Sequence, residues 1–213
     1  MSNVKVPETT RKTRRQFDRE AALTTAMELF WRHGYEATSM SMLLKALGLT
    51  APSLYMAFGN KERLFQEAVG HYNRQYGAKV FAPLKSAGTA RKAIEQVLYN
   101  SADLVASGKN PHGCLVSFGA INSADHTAVP SSLLKSIRKI VFNNLRERFQ
   151  NAVATGELPE ATDTARLARY YQGILGAIQL LSLDGATPAE LRAVARDALK
   201  AWPGKESLTG STN

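Results

Sequence analysis

The chain has 213 residues, 44% of them hydrophobic and 21% charged, a globular composition that excludes a mainly disordered protein. Its 27 Lys and Arg outnumber 18 Asp and Glu, and the net charge of +9 favours a polyanionic partner such as nucleic acid or an acidic membrane. A lone cysteine, Cys114, excludes an intramolecular disulfide, and no apolar run of a signal peptide follows the basic start, so the expected compartment is the reducing cytoplasm.

Apolar residues recur at helical spacing, punctuated by Gly and Pro, and nowhere alternate as in a strand. The expected class is therefore all-α, with about nine helices and no repeats. Residues 1–14 read as a flexible basic arm. The first helix starts at Asp18, whose carboxylate caps free amides, and ends before Gly34, which suits the left-handed position past a helix end. Leu23, Met27, Phe30 and Trp31 form its buried stripe. The second helix starts at Thr38 or Ser39, presents Met40, Leu43, Leu44 and Leu47 on one face, and stops at Gly48. The third runs from Thr50 as cap to Phe58, with Pro52 tolerated in the first turn. After Asn60 come predicted helices over 61–79, 89–106, 114–123, 130–154, 160–183 and 188–201, with a loop at 108–113 around Pro111. Residues 204–213 read as a flexible tail. The most apolar stretch, 173–183, falls short of the ~20 residues that span a bilayer, so no membrane partner is expected.

Two short helices joined by a tight turn at Gly48-Leu49-Thr50 have the size of a helix-turn-helix, whose second helix enters a major groove. Thr50, Ala51 and Ser53 are small and close to the helix start, where DNA can approach. Thr38, Tyr55 and Lys61 can donate to phosphates. Tyr55 alone would serve as well as a core aromatic, and Lys61 as an ordinary helix-start charge; their combination at this spacing points to DNA. Residues 1–61 carry nine basic and five acidic side chains, whereas 156–213 carry six and seven, which puts the nucleic-acid surface in the N-terminal part.

The segment TSMSMLLKALGLTAPSLYMAFGNKERLF, with Phe30 and Gly34-Tyr35 upstream, resembles the N-terminal signature of the TetR family of transcriptional regulators over about residues 17–66. The matching positions are Thr38, Ala46, Gly48, Leu49, Ser53, Leu54, Tyr55, Phe58, Lys61 and Leu64. The resemblance implies a DNA-binding domain over residues 15–60 and a ligand-binding, dimerising body over 61–203. It further implies a homodimeric repressor that holds palindromic double-stranded operator DNA until a small-molecule effector releases it. Thr38, Tyr55 and Lys61 would anchor the DNA backbone, while Thr50, Ala51, Ser53 and Met56 would face base edges. Ala51 stands where the family often has Lys or Arg, which shifts the reading of bases towards methyl contacts, the N-terminal arm or DNA shape. Arg11 to Arg15 either follow DNA or form a solvated tail.

In the body, Leu167, Tyr170, Tyr171, Ile174, Ile178 and Leu181 make one apolar stripe, and Leu191, Val194, Ala198 and Trp202 another. With Gly173, Gly176 and Ala177 allowing close approach, the two helices are expected to pair with their symmetry mates in a four-helix interface. The alternative is that both stripes face the chain's own core. An effector pocket is expected from Tyr72, Leu98, Phe118 and Phe142, with Phe81 and Tyr99 nearby and His112 and Cys114 adjoining.

At a helix start, Cys114 can ionise and then react with electrophiles or bind a soft metal, giving a thiol-based sensor; equally, it can be a small packing residue. Gly113-Cys114-Leu115 resembles a segment of some TetR-family branches, including ones that sense reactive compounds. Cys114 with His112 can also begin the nucleophile–base pair of an enzyme. Against catalysis, the chain has no glycine-rich phosphate loop, HExxH, CxxC or paired-carboxylate motif, and no catalytic residue, cofactor or metal is expected. A non-specific architectural or membrane-surface binder is the other alternative, which so diffuse a charge does not favour.

Overall fold

The computed structural model describes residues 17–86, 88–108, 111, 113–119 and 129–204. The described residues form α1 (Arg19–Ala37), α2 (Met40–Leu47), α3 (Ala51–Phe58), α4 (Lys61–Tyr72), α5 (Ala78–Phe81), α6 (Ala90–Ala106), α7 (Leu115–Phe118), α8 (Val129–Ala154), α9 (Thr164–Leu183) and α10 (Pro188–Ala198), and no strand. A π-helical turn, Asn73–Gly77, joins α4 to α5 without leaving helical backbone, so the helix predicted over 61–79 is one continuous rod reaching Phe81. Counted that way, nine helices stand among the described residues, and the all-α expectation holds.

The local signals act where the sequence puts them. The Asp18 carboxylate accepts from the Glu20 and Ala21 amides, and Gly48 closes α2 with φ 64° and ψ 32°, a left-handed geometry that costs glycine little. Four boundaries differ. Helical backbone resumes after a break at Gly34, so α1 runs to Ala37 and does not end before that glycine. The helix predicted over 114–123 is a single turn ending at Phe118, and residues 120–123 lie outside the described part. The helix predicted from residue 160 starts at Thr164, because the Thr162 amide turns back onto the Pro159 carbonyl and Asp163 takes the capping position. The last helix ends at Ala198 and continues as a 3-10 turn, Leu199–Ala201.

Two apolar cores organise these helices. Met27, Phe30, Leu43, Leu54, Leu64 and Phe65 pack together in the head, and Leu115 and Leu134 extend that core into α7 and α8. Phe30 and Phe65 meet edge to face with ring centroids 5.0 Å apart. The domain boundary expected at residue 60 is therefore not a gap in the packing: α4 shares its core with α1 and α3. The second core unites α6, α8, α9 and α10 around Ile94, Leu145, Phe149, Tyr171 and Ile178.

This second core corrects several sequence expectations. Leu167, Tyr171, Ile178, Leu191 and Ala198, expected at a dimer interface, are buried within the single chain, and Ile174 and Val194 pack partly against the same core. Burying each large apolar side chain contributes about 1.5–3 kcal/mol. That makes these residues determinants of folding rather than of association. Leu98, expected in the pocket, is also fully enclosed there.

Among the described residues the buried Tyr171 hydroxyl has no hydrogen-bond partner, and burial pushes its pKa well up. Leaving such a group unsatisfied costs about 1–3 kcal/mol. Tyr171→Phe is thus expected to raise stability by about 1 kcal/mol in urea unfolding, whereas Tyr171→Ala should lower it by about 3–5 kcal/mol through the cavity it leaves. Among the described residues, no helix is long and apolar enough to cross a membrane.

Candidate nucleic-acid interface and body cleft

The α2–α3 pair is fixed from behind by apolar anchors: Leu43, Leu54 and Phe58 are buried. From the front, Thr50 caps α3 by accepting from the Ser53 amide, and the two hydroxyls lie 2.9 Å apart. Because Leu54 and Phe58 take the inner face, helical periodicity sends Ser53, Tyr55 and Met56 outward. Tyr55 is 51% exposed and Met56 88% exposed, an uncommon state for a large apolar side chain. Ala51 is half-buried and Thr50 exposed at the same end of the helix.

Arg19 braces this surface, chelating the Glu67 carboxylate at 2.8 and 2.7 Å, stacking 4.6 Å over the Phe58 ring and donating to the Ala57 carbonyl. Lys61 sits 4.3 Å above the Tyr35 ring; burial lowers its pKa, which Glu36 opposes. The ammonium is thus held in one place, rather than sweeping through solvent.

One expected phosphate anchor moves. Thr38 is completely buried and its hydroxyl donates to the Gly34 carbonyl at 2.6 Å, so its side chain has no route to a phosphate. The exposed hydroxyls at this helix start belong to Ser39, which caps α2, and Ser41, 2.9 Å away. Lys45, exposed in the last turn of α2, is a further cation that the sequence reading passed over. The arm bearing Arg11 to Arg15 lies outside the described residues.

The body holds a cleft of about 1530 Å³ between α4, α6, α8 and α9. Tyr72, Cys114, Phe118 and Phe142 line it as expected of pocket residues, whereas Leu98 does not, and His112 lies outside the described residues. The Tyr72 hydroxyl donates to Cys114 Sγ at 3.3 Å, and burial keeps that phenol protonated far above its ordinary pKa. Among the described residues, no three His, Cys, Asp or Glu side chains converge as a metal site.

The one-turn α7 connects this cleft to the head. Trp31 Nε1 donates to the Gly113 carbonyl at 3.2 Å and the Tyr35 amide to the Gly119 carbonyl at 2.7 Å, both from α1. On the opposite side the Gly113 amide donates to Ser182 Oγ at 3.1 Å and the Ser117 hydroxyl to Gln179 Oε1, both on α9.

On its outer face α9 presents Tyr170, Gly173, Ala177, Leu180 and Leu181, with Ile174 at the edge. Of these, Tyr170, Leu180 and Leu181 are exposed large apolar side chains. Only Tyr170 and Leu181 of the expected interface residues are openly exposed; Leu180 and Leu183, both exposed, were not singled out from the sequence.

Similarity to known proteins agrees with this geometry. A family model described as "Bacterial regulatory proteins, tetR family" matches residues 22–68, the α1–α4 head. The chain is 33% identical over 191 residues to the HTH-type transcriptional repressor ComR of Escherichia coli (strain K12), covering 88% of this chain and 90% of that protein. It is 30% identical over 157 residues to YezE, an uncharacterized HTH-type transcriptional regulator of Bacillus subtilis (strain 168), covering 73% of this chain and 81% of that one. Among solved structures, a cysteine-substituted TetR family transcriptional regulator CifR, complexed with 26-base-pair operator DNA, superposes with a TM-score of 0.85 at 35% identity, covering 90% of this chain and 100% of that one. A helix-turn-helix head and a helical body matched together, over nearly the whole length, place this chain in the tetR family of bacterial regulatory proteins.

Proposed function

We propose that the protein is a cytoplasmic transcriptional repressor that binds a palindromic operator as a homodimer and is released by a small-molecule effector, without catalysis of its own. The observation that carries this reading is α3: a capped helix anchored by Leu54 and Phe58 that exposes Ser53, Tyr55 and Met56 on a basic head. Tyr55 and Lys61, with Ser39 in place of Thr38, take the DNA backbone, while Thr50, Ala51, Ser53 and Met56 face base edges. Residues 15–60 supply the reading surface, and residues 61–203 the sensing and dimerising body.

Dimerisation falls to the exposed face of α9. On that face Gly173 has nothing within 4 Å of a Cβ position, which leaves room for a partner helix. Effector in the cleft acts through α7, because the cleft-lining residues between Cys114 and Phe118 are flanked by Gly113 and Gly119, whose carbonyls accept from α1, while Gly113 and Ser117 bond to α9. A ligand that prefers one arrangement of α7 shifts the spacing of the two heads, and operator DNA then weakens ligand binding by the same factor. The test is selection of bound fragments from the genome that encodes this chain. The expected product is a two-fold symmetric sequence with half-sites about 10 base pairs apart or a multiple of that, bound by an even number of protomers. Recovery of unrelated fragments with no common symmetry would contradict the reading.

Lys61→Ala tests the placement against DNA. Loss of one phosphate contact should weaken binding to all sequences alike and flatten the slope of log affinity against log salt by roughly 0.9. Tyr55→Phe should weaken binding with the slope unchanged, since it removes a hydroxyl and no charge.

A second reading follows from Cys114 itself, which lines the cleft beneath the Tyr72 hydroxyl. There the thiol is the sensing group, and a carbon electrophile bonded to sulfur replaces a reversible ligand. Alkylation should then lower operator affinity about tenfold or more in the wild type and leave Cys114→Ala unaffected. Equal operator binding before and after complete alkylation would make Cys114 a packing residue.

A further inference from the structure

The cleft carries more positive charge than an uncharged ligand requires. Its α8 wall brings Lys135, Arg138, Lys139, Arg146 and Arg148, and α9 adds Arg169, while Glu147 is the one acid among the described residues that line it. None of these cations belongs to the ion pairs found among the described residues, which are Arg19–Glu67, Arg192–Asp103 and Lys200–Asp197.

An exposed row of lysines and arginines would ordinarily be a solvated helix face. Arg138 does not fit that description. It is half-buried, burial depresses its pKa against an opposing pull from Cys114, and its NH1 donates to the Val116 carbonyl at 2.6 Å, a neutral acceptor inside the cleft. A guanidinium has five donors, and taking one out of water without an opposite charge is costly. Arg169 is fixed as well, 3.9 Å over the Phe142 ring with NH1 on Gln172 Oε1 at 3.0 Å. Both guanidinium groups are therefore positioned before any ligand arrives. The remaining wall is mixed, with polar side chains such as Asn73, Asn144 and Gln179, but Leu104, Val105, Phe118 and Leu175 beside Phe142 give it an apolar part, and a volume of about 1530 Å³ leaves room for a long tail.

We propose that the ligand of this cleft is an anionic amphiphile, an aliphatic or aromatic tail ending in a carboxylate or phosphate, with Arg138 and Arg169 holding the head and the Phe118–Phe142 wall holding the tail. The proposal rests on the effector reading above and narrows it to a chemical class. Arginine suits this role because its planar fork matches both head groups.

The test uses the full-length protein and four ten-carbon probes kept below their micelle concentrations: decanoate, decyl phosphate, 1-decanol and decyltrimethylammonium. Calorimetric titration is expected to show at least one of the two anions binding about tenfold or more tighter than 1-decanol, with no binding of the cation. Which anion binds tighter identifies the head group. Arg138→Gln should weaken the preferred anion about tenfold and leave 1-decanol unchanged. Arg169→Gln, at an exposed position, gives the same comparison if Arg138→Gln does not fold.

Equal binding of decanol and both anions, preference for the cation, binding of no anion, or anion affinity indifferent to both substitutions would overturn the proposal. Operator binding measured alongside separates the two layers. Anions that bind through the arginines without changing operator affinity would leave the ligand class standing and remove the effector reading. Decanol that binds best and releases operator DNA would do the reverse.

Discussion

Met56→Glu is expected to weaken operator binding by roughly a hundredfold or more while leaving the melting temperature of the protein almost unchanged. Met56 is 88% exposed on the outer face of α3, so its removal takes nothing from the core. Surface substitutions of this kind usually change stability by no more than about 0.5 kcal/mol. In the proposed complex the same position enters a groove walled by phosphates, where a carboxylate meets like charge, and such juxtapositions cost several kcal/mol. Met56→Leu keeps an apolar contact and should lose less than about tenfold. Gel-shift titration at fixed salt, paired with thermal unfolding, measures both quantities. A Met56→Glu protein that binds normally would remove α3 from the reading surface.

The second large effect is on assembly. Leu181→Glu combined with Tyr170→Glu is expected to convert a micromolar dimer into a monomer. Both side chains are more than one third exposed on the single chain, at 36% and 38%, so neither substitution empties a buried position, and the loss inside the chain includes the edge contact of Tyr170 with Tyr171. Across a two-fold axis they put four carboxylates into an apolar contact, and about 2 kcal/mol or more for each unpaired charge shifts dissociation by more than roughly a thousandfold. Sedimentation equilibrium reads the change directly, and operator affinity should collapse with it, because two heads are needed for two half-sites. A monomeric wild type would defeat the interface. Ile178→Glu is uninformative here, since Ile178 is fully buried within the chain and the charge would unfold it.

The head was almost entirely legible in the sequence. Its determinants are local: Asp18, Ser39, Thr50 and Asn60 each cap a helix, and Gly34, Gly48 and Gly59 each take a positive φ where a helix must stop or break. The exception is Thr38. A threonine beside a helix start offers its hydroxyl equally to DNA or to a nearby carbonyl, and only the return of the chain at Gly34 decides for the carbonyl.

The body was less legible, because a stripe at helical spacing shows that a helix has an apolar face without saying what covers it. Leu167, Tyr171 and Ile178 share their stripe with Tyr170 and Leu181, yet the first three turn to α6, α8 and α10 and the other two turn outward. The offset between the two sets is less than one turn, too fine for periodicity to resolve. The cleft arginines escaped the sequence reading for a related reason. Arg138 looks like one more charge on a basic helix until α7 brings the Val116 carbonyl to it. The helix at α7 was expected, but it ends at Phe118 and not at residue 123, because a single turn is below the length at which a periodic pattern fixes a helix end.

The central claim, that a dimer reads a particular DNA sequence through α3, is tested most directly by comparing affinity for the selected genomic fragment with affinity for a scrambled fragment of the same length, both at physiological salt. A preference of roughly a thousandfold or more for the selected fragment, reduced to near equality in Met56→Glu, is the predicted result. Equal affinity of the unaltered protein for both fragments would contradict the account and leave a basic protein bound to DNA by charge alone.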